Sequence, residues 1–564
     1  MTNNRSSGSP TGAPQGGEGS GAAQGNLIAT AYLWVAGLQG WRALAFCAAL
    51  GAVANLAFPP LHIWPAFAIA LSGLVWSLDG AALAPRPGRA AVWRVAAFGF
   101  AYYLIGMHWI AFAFLVNPGA HLMFIWMPLI ALPSILTAVL AGCVHIGFRF
   151  WCPGPARLVI FAVAFMFGEW VRGSLFGIGG LPWNLPGMIW APGEAISQSA
   201  SLWGIYGLSA LTVIAMASPA ALVDRRGRGT TASRAAPVIV AAIVFGALWG
   251  WGARRLSDAP ADPGTGAMVR LIDVGTPQAE KHKPENAESI VRRYLELTGP
   301  ATASSPAIVI WPEGALPYFL FEWDGALRAV SDSIGQRKLI LGVPRLEGVG
   351  TDDVRAYNSL AVLSGDADVR GARHWYDKHM LVPFGEFMPF ADLLGAIGLK
   401  TLQDLAPGGF AAGPDPSSVR VDGVPPFGPL ICYEVIFPGL SPTGDDRPEW
   451  LVNISIDAWF GEFIGPGQHA AQARYRAIEE GLPMARVASL GETGMIDAYG
   501  RWSARGAPAD TAKFSPDPDG WRSSVVDARI PQALPQTPYG TWRDGLFWVM
   551  LFGFNLGLFV LPRR

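Results

Sequence analysis

At 564 residues, with 51% hydrophobic and only 15% charged side chains, the chain is too apolar for an ordinary water-soluble enzyme and has the composition of a membrane protein. Its basic and acidic residues nearly cancel, 41 against 42, and no run of lysine or arginine forms a polyanion-binding patch, so no nucleic-acid partner is expected.

Residues 1–25 are Gly, Ser, Pro and Ala with almost nothing to bury, which predicts a disordered tail. No basic region leads directly into an apolar core there, so the tail is not a signal peptide. A membrane domain is expected over 26–255. Seven apolar stretches fall at about 43–58, 62–80, 92–115, 121–148, 157–175, 196–222 and 236–253, each close to the roughly 20 residues that cross a bilayer as helix. An eighth span lies within 543–564. Arginines cluster in alternate connections, at Arg86, Arg89 and Arg94, at Arg149 and Arg157, and at Arg225, Arg226, Arg228 and Arg234. Short basic loops stay in the cytoplasm. Both termini are therefore expected inside and the insert after the seventh span outside, which in a bacterium is the periplasm. Glu169 and Arg172, three apart on one helical face, suit an ion pair at membrane depth or a lipid-headgroup contact. The Gly- and Pro-rich 177–187 predicts irregular backbone at the outer surface near the insert.

From 268 to 530 short apolar runs alternate with polar and helical segments: MVRLIDV, AIVIWPEG, KLILGVP, NSLAVLS, PLICYEV and WLVNISID. That alternation predicts an α/β domain with a sheet covered on both faces. In such domains reactive side chains cluster at strand ends, and three stand out: Glu313, Lys378 and Cys432. Each also has a bland reading, as a turn acid, a surface charge and a small buried hydrophobe. Two facts favour chemistry. Cys47, Cys143 and Cys152 fall in or beside the spans, so Cys432 has no disulfide partner in an oxidising compartment. Lysines number only six, and Lys378 lies between Asp377 and His379. A thiol, a carboxylate to take its proton and an ammonium to stabilise an oxyanion together suit acyl transfer. Glu386 and Glu434 would point into the same region, to orient the lysine or shuttle protons.

Those three residues match the Glu-Lys-Cys triad of the nitrilase, or carbon–nitrogen hydrolase, superfamily, which the insert resembles; the implied fold is a four-layer αββα sandwich. More narrowly, WPEGALPYF, YDKHMLVPFGEFMPF, ICYEVIFPG, VNISIDAWFG and QHAAQARYRAIEEGLPMARVAS resemble the apolipoprotein N-acyltransferase family, as does FGEWVRGSLFGIGGLPWN in the membrane domain. The resemblance implies an enzyme moving an acyl chain from a membrane phospholipid to the α-amino group of a diacylglyceryl cysteine on an apolipoprotein. It implies Glu313 as base, Cys432 as thioester-forming nucleophile and Lys378 as stabiliser of the tetrahedral intermediate. Glu386, Tyr433 and Glu434 match supporting positions, and a monomer with no cofactor and no metal is expected. His282 stands where the family has tryptophan, Ile456 where asparagine is common, and Ser489-Leu490-Gly491 in place of Asn-Thr-Gly. These departures bear on substrate recognition and leave the triad intact.

Two other functions remain compatible with parts of the chain: a membrane-tethered amidase, which the triad alone would serve, and an inactive scaffold or transporter. The membrane-domain motif speaks against the first and the intact triad against the second. Finally, 387–405 carries Phe387, Met388, Phe390, Leu393, Leu394 and Ile397 just beyond the site. It is expected to form an arm that dips into the outer leaflet and gates lipid entry, the alternative being an ordinary core segment.

Overall fold

The computed structural model describes residues 27–174, 180–224, 231–260, 264, 266–351, 353–365, 374–389, 409–462, 464–506 and 521–560. Six of its helical segments are long and apolar enough to cross a membrane: Gly40–Ala57, Trp64–Ala82, Pro87–Leu115, Leu122–Phe148, Ile196–Val223 and Arg234–Ser257. Each coincides with an expected span. The helix Ala156–Gly173 fills the remaining place in that series, and its Arg157, Glu169 and Arg172 set it apart in polarity. Gly545–Val560 closes the chain as a helix that packs back on the others, burying Phe547 and Leu551. One helix was not anticipated: Leu27–Gly37 precedes the first expected span and is shorter than a bilayer-crossing helix. The expected disordered tail lies outside the described residues.

Sequence punctuates these helices in recognisable ways. Proline stands in the first turn of Trp64–Ala82 and of Pro87–Met107, where its missing N–H costs nothing. Ala200–Ala217 kinks at Gly204, whose φ of 68° is left-handed and whose missing Cβ would collide with the Tyr539 ring.

The insert is a sandwich of two six-stranded mixed sheets. The first contains β1 (Met268–Asp273), β2 (Ile308–Ile310), β3 (Lys338–Glu347), β4 (Arg355–Ser364), β5 (His374–Asp377) and β12 (Ser524–Arg529), in spatial order β12-β1-β2-β3-β4-β5. The second contains β6 (Val419–Val421), β7 (Val424–Ile431), β8 (Trp450–Ile456), β9 (Met484–Ser489), β10 (Gly494–Ile496) and β11 (Trp502–Arg505), ordered β11-β10-β9-β8-β7-β6. Between them lies a dry layer that includes Leu271, Ile310, Ile340, Phe427, Ile454 and Val487.

Helices Ala287–Thr298 and Asp324–Ile334 cover the outer face of the first sheet, burying Ile290, Tyr294, Leu327 and Val330 with Trp311. Helix Ile464–Glu480 covers the second sheet, and its other side meets the membrane helices. Tyr475 and Ile478 share one continuous apolar cluster with Phe98, Phe165 and Leu208. The α-β-β-α layering expected from the apolar strands is thus present, with the fourth layer pressed against the helical half.

Candidate active site

Glu313 and Cys432 follow the parallel strands β2 and β7, and Lys378 follows β5, an antiparallel edge strand. Strand ends face one another at the same end of the two sheets, which is why residues far apart in sequence converge. Close approach is built in: at Gly342 of β3 a Cβ would lie 2.4 Å from the Glu313 Cα, so only glycine lets that strand seat the Glu313 turn.

All three side chains are buried, Lys378 to 1% exposure and Cys432 to 7%. Lys378 Nζ lies 2.8 Å from Glu386 Oε1 and 3.5 Å from Glu313 Oε1. Asn358 Nδ2 donates to both carboxylates, at 2.7 Å to Glu313 and 2.8 Å to Glu386. The other Glu313 oxygen accepts from the Ile456 backbone N–H at 3.1 Å, and Glu386 Oε2 from that of Val382 at 2.8 Å. Cys432 adopts a left-handed φ of 49°, a strained setting for a non-glycine residue and one found at functional sites.

Burial pushes the Cys432 thiol well above its ordinary range and Glu313 adds to the push, while Lys378 and hydrogen bonding with Ser455 oppose it. At rest the sulfur is a thiol. Burial alone would strip Lys378 of its proton, but the carboxylates of Glu386 and Glu313 outweigh burial and hold it as ammonium. The cluster therefore offers a protonated sulfur, a carboxylate to receive its proton and a fixed cation, as nucleophilic acyl chemistry needs.

The supporting residues fall out differently. Glu386 is a direct partner of Lys378, as anticipated. Glu434 does not orient the lysine side chain. It is fully buried and accepts from the Tyr376 hydroxyl at 2.7 Å and from the backbone N–H groups of Ile431 at 2.7 Å, His379 at 2.8 Å and Met380 at 3.2 Å. It ties the Cys432 turn to the Lys378 turn. Tyr433 reaches away from the thiol, its hydroxyl donating to the Gly180 carbonyl at 2.5 Å.

Gly180 belongs to the irregular segment before Ile189, which is not a surface loop. Trp183, Asn184 and Leu185 are buried where the two halves meet, because Arg172, paired with Glu169, donates to the carbonyls of Leu181 and Trp183. The ion-pair reading of Glu169 and Arg172 is the one observed. Of the expected gate, Phe387 and Met388 are described, with the Phe387 carbonyl accepting from the Phe384 N–H at 2.8 Å. Phe390, Leu393, Leu394 and Ile397 lie outside the described residues.

Four polar residues around the site carried no role in the sequence reading: Asn358, Lys281, Asp457 and His469. Lys281 is buried, burial drawing its pKa down to about 8 against the pull of Glu313 and Asp273. The scarcity of lysine that pointed to Lys378 applied equally to Lys281. Asn358 was legible as the single amide within the apolar strand AYNSLAVLS. Among the described residues no cluster of His, Cys, Asp and Glu could hold a metal ion.

Two sheets back to back, a buried Glu-Lys-Cys cluster at their strand ends and a hydrophobic helical base define a nitrilase-like domain carried by a membrane protein. Residues 274–513 match the carbon-nitrogen hydrolase family and residues 50–218 the apolipoprotein N-acyltransferase N-terminal domain. An apolipoprotein N-acyltransferase of Caulobacter vibrioides is 38% identical over 523 residues, spanning 91% of this chain and 93% of the relative. One from Rhodopseudomonas palustris is 35% identical over 476 residues, 82% of this chain and 87% of the relative. The chain belongs to the apolipoprotein N-acyltransferase family.

Proposed function

We propose that this protein N-acylates lipoproteins in the bacterial inner membrane, taking the acyl chain from a phospholipid and passing it through a thioester on Cys432. The observation that carries this reading is that Glu313, Lys378 and Cys432 are buried together, with Tyr433, beside the cysteine, hydrogen-bonded to Gly180 of the helical half. Both substrates keep their acyl chains in the bilayer, and a buried site keeps water from the thioester.

In the first stage Glu313 takes the Cys432 proton as the sulfur attacks the phospholipid ester carbonyl. Lys378 and a backbone N–H stabilise the oxyanion. Collapse breaks the ester C–O bond, and the Glu313 proton leaves on the lysophospholipid hydroxyl. In the second stage the α-amino group of the diacylglyceryl cysteine attacks the thioester and loses a proton to Glu313. The C–S bond breaks and the thiol is restored. Glu386 keeps Lys378 charged and in place throughout, and Asn358 bridges the two carboxylates.

The reading places the sandwich in the periplasm and both termini in the cytoplasm, in keeping with the arginine-rich loops. Mass spectrometry of lipoprotein N-termini from cells with and without the protein is the direct test: the third acyl chain should vanish without it. Reporter fusions at Gly350 and after Arg564 test topology, and a periplasm-only reporter active at the C-terminus and silent at Gly350 reverses the orientation.

A further inference from the structure

The nucleophile's unusual backbone is held by a ring of buried polar groups. Cys432 hydrogen-bonds through its side chain to Ser455, and the Ser455 hydroxyl donates to Asp457 Oδ1 at 2.7 Å. Asp457 Oδ1 lies 2.8 Å from His469 Nδ1, and His469 Nε2 lies 3.2 Å from the carbonyl oxygen of Cys432 itself. The ring starts and ends on one residue, gripping both its side chain and its backbone. Arg486 closes the outside, donating to Asp457 Oδ2 at 2.7 Å. Every side chain from Ser455 to Arg486 in this ring is buried.

The hydrogens follow from the acceptors. Burial opposes ionisation of Asp457, but Arg486 and His469 outweigh it and hold the carboxyl down to about 2, so a carboxylate faces Nδ1. A carbonyl oxygen, which can only accept, faces Nε2. Burial outweighs the pull of Asp457 and sets His469 below its ordinary range, so the ring is neutral. Hydrogen on Nε2 then serves the Cys432 carbonyl, and Nδ1 is left to accept from Arg486 Nη2 at 3.3 Å, since a guanidinium can only donate.

The same ring is seated on the helical half. Trp183 stacks on His469 with centroids 5.5 Å apart, and Phe460 meets its edge at 5.3 Å. The neighbouring Gln468 accepts from Trp183 at 2.8 Å and from Trp109 at 3.2 Å.

We propose that His469 is a positioning residue for the nucleophile: it donates from Nε2 to the Cys432 carbonyl and holds the left-handed backbone that aims the thiol at Glu313 and Lys378. The inference rests on the reading of Cys432 as nucleophile, but its geometric claim is measurable without acyl transfer.

The test compares His469→Gln with His469→Asn in the purified full-length protein. Glutamine can place an amide N–H near the Nε2 position; asparagine reaches only as far as Nδ1 and abandons the Cys432 carbonyl. Thioester formation from phospholipid, with no acceptor present, should fall about 100-fold in the asparagine variant, the scale of a small misplacement of a reacting group, with KM unchanged. The glutamine variant should stay within about tenfold of the parent protein. Iodoacetamide labelling of the Cys432 peptide should fall in the same order. Equal losses in both variants, or in neither, overturn the proposal, because a ring that merely fills space is missed equally by both.

Should the variants fold poorly, nitrogen NMR of the unmodified protein labelled in histidine decides. One of its eight histidines should show a single neutral tautomer with hydrogen on Nε2 at about pH 8, where an ordinary histidine is neutral and exchanges between tautomers; hydrogen on Nδ1 alone for His469 overturns the proposal. Cys432 labelling that follows the expected order in a protein that forms no thioester would sink the proposed function and leave the positioning role standing.

Discussion

The two outer layers of the sandwich perform the same structural task in different surroundings. Helix Ala287–Thr298 buries four of its 12 residues, all on one stripe, and turns Glu288, Arg292 and Glu296 to the exterior. Helix Ile464–Glu480 buries 14 of its 17 residues, among them Gln468, His469, Gln472, Arg476, Glu479 and Glu480. Its second face lies on the membrane helices, so polar side chains that would ordinarily face water must find partners in protein. Tyr475 donates to the Gly187 and Trp190 carbonyls at 3.1 and 2.6 Å, and Glu479 accepts from the Ile205 N–H at 2.6 Å. Where one layer only shields a core, the other joins two halves of a protein through directed bonds. Directed bonds fix an orientation, which apolar contact alone does not.

The sharpest way to break the contrast is at the site, which lies against the joined side. Cys432→Ala should abolish acyl transfer, measured by phospholipid-dependent N-acylation of a lipopeptide. Glu313→Gln and Lys378→Met should each lower kcat/KM by about 10³-fold or more, all three proteins remaining folded. Retained activity in Cys432→Ala removes the site from this face altogether.

Next come two aromatic truncations of similar stability cost and opposite functional cost. Trp183→Ala and Tyr294→Ala should each lower unfolding stability by about 3–5 kcal/mol. Activity per folded molecule should drop steeply only for Trp183→Ala, since Tyr294 packs on Trp311 in the layer away from the helical half. Equal activity losses would erase the distinction between the layers.

A smaller effect should appear in pH dependence. Burial raises Glu479 to about 7 against the pull of Arg476 and the Ile205 N–H. Its folded pKa exceeds the unfolded value of about 4.3, so its contribution to stability is complete below that value and is lost as pH rises toward 7. Thermal unfolding between about pH 4.5 and 7.5 should therefore decline more steeply in the parent protein than in Glu479→Gln. Parallel profiles would mean that Glu479 keeps an ordinary pKa. Smallest of all, Arg292→Ala on the exposed layer should shift stability by no more than about 0.5 kcal/mol and leave kcat/KM unchanged.

Much of the contrast was legible in the sequence and part was not. Continuous apolar runs such as AIVIW and PLI announced strands covered on both faces, and β2 and β7 are so covered. Glu313, Lys378 and Cys432 were visible because each polar residue ends or follows an apolar or aromatic run. Periodicity could not show which helix would be covered twice: QHAAQARYRAIEEGL has the charge content of an ordinary surface helix. The neighbouring membrane helices convert Gln468 from a surface residue into a structural one. The partners of Glu434 were hidden for a related reason. Proximity in sequence to Cys432 suggested chemistry, whereas its oxygens are spent on four donors from two turns. Leu27–Gly37 escaped notice because, at 11 residues, it is too short to register as a span.

The closing helix carries a consequence for biogenesis. Phe547 packs on Tyr206 with centroids 5.6 Å apart, and Trp548 on Trp170 at 4.7 Å, so the groove between Ala156–Gly173 and Ala200–Ala217 is filled by a segment made only after the whole sandwich. Until then that groove is unoccupied by its own chain, while the whole sandwich is synthesised. A chain that stalls before residue 545 leaves the groove open, and quality-control proteases can recognise such an incomplete membrane bundle.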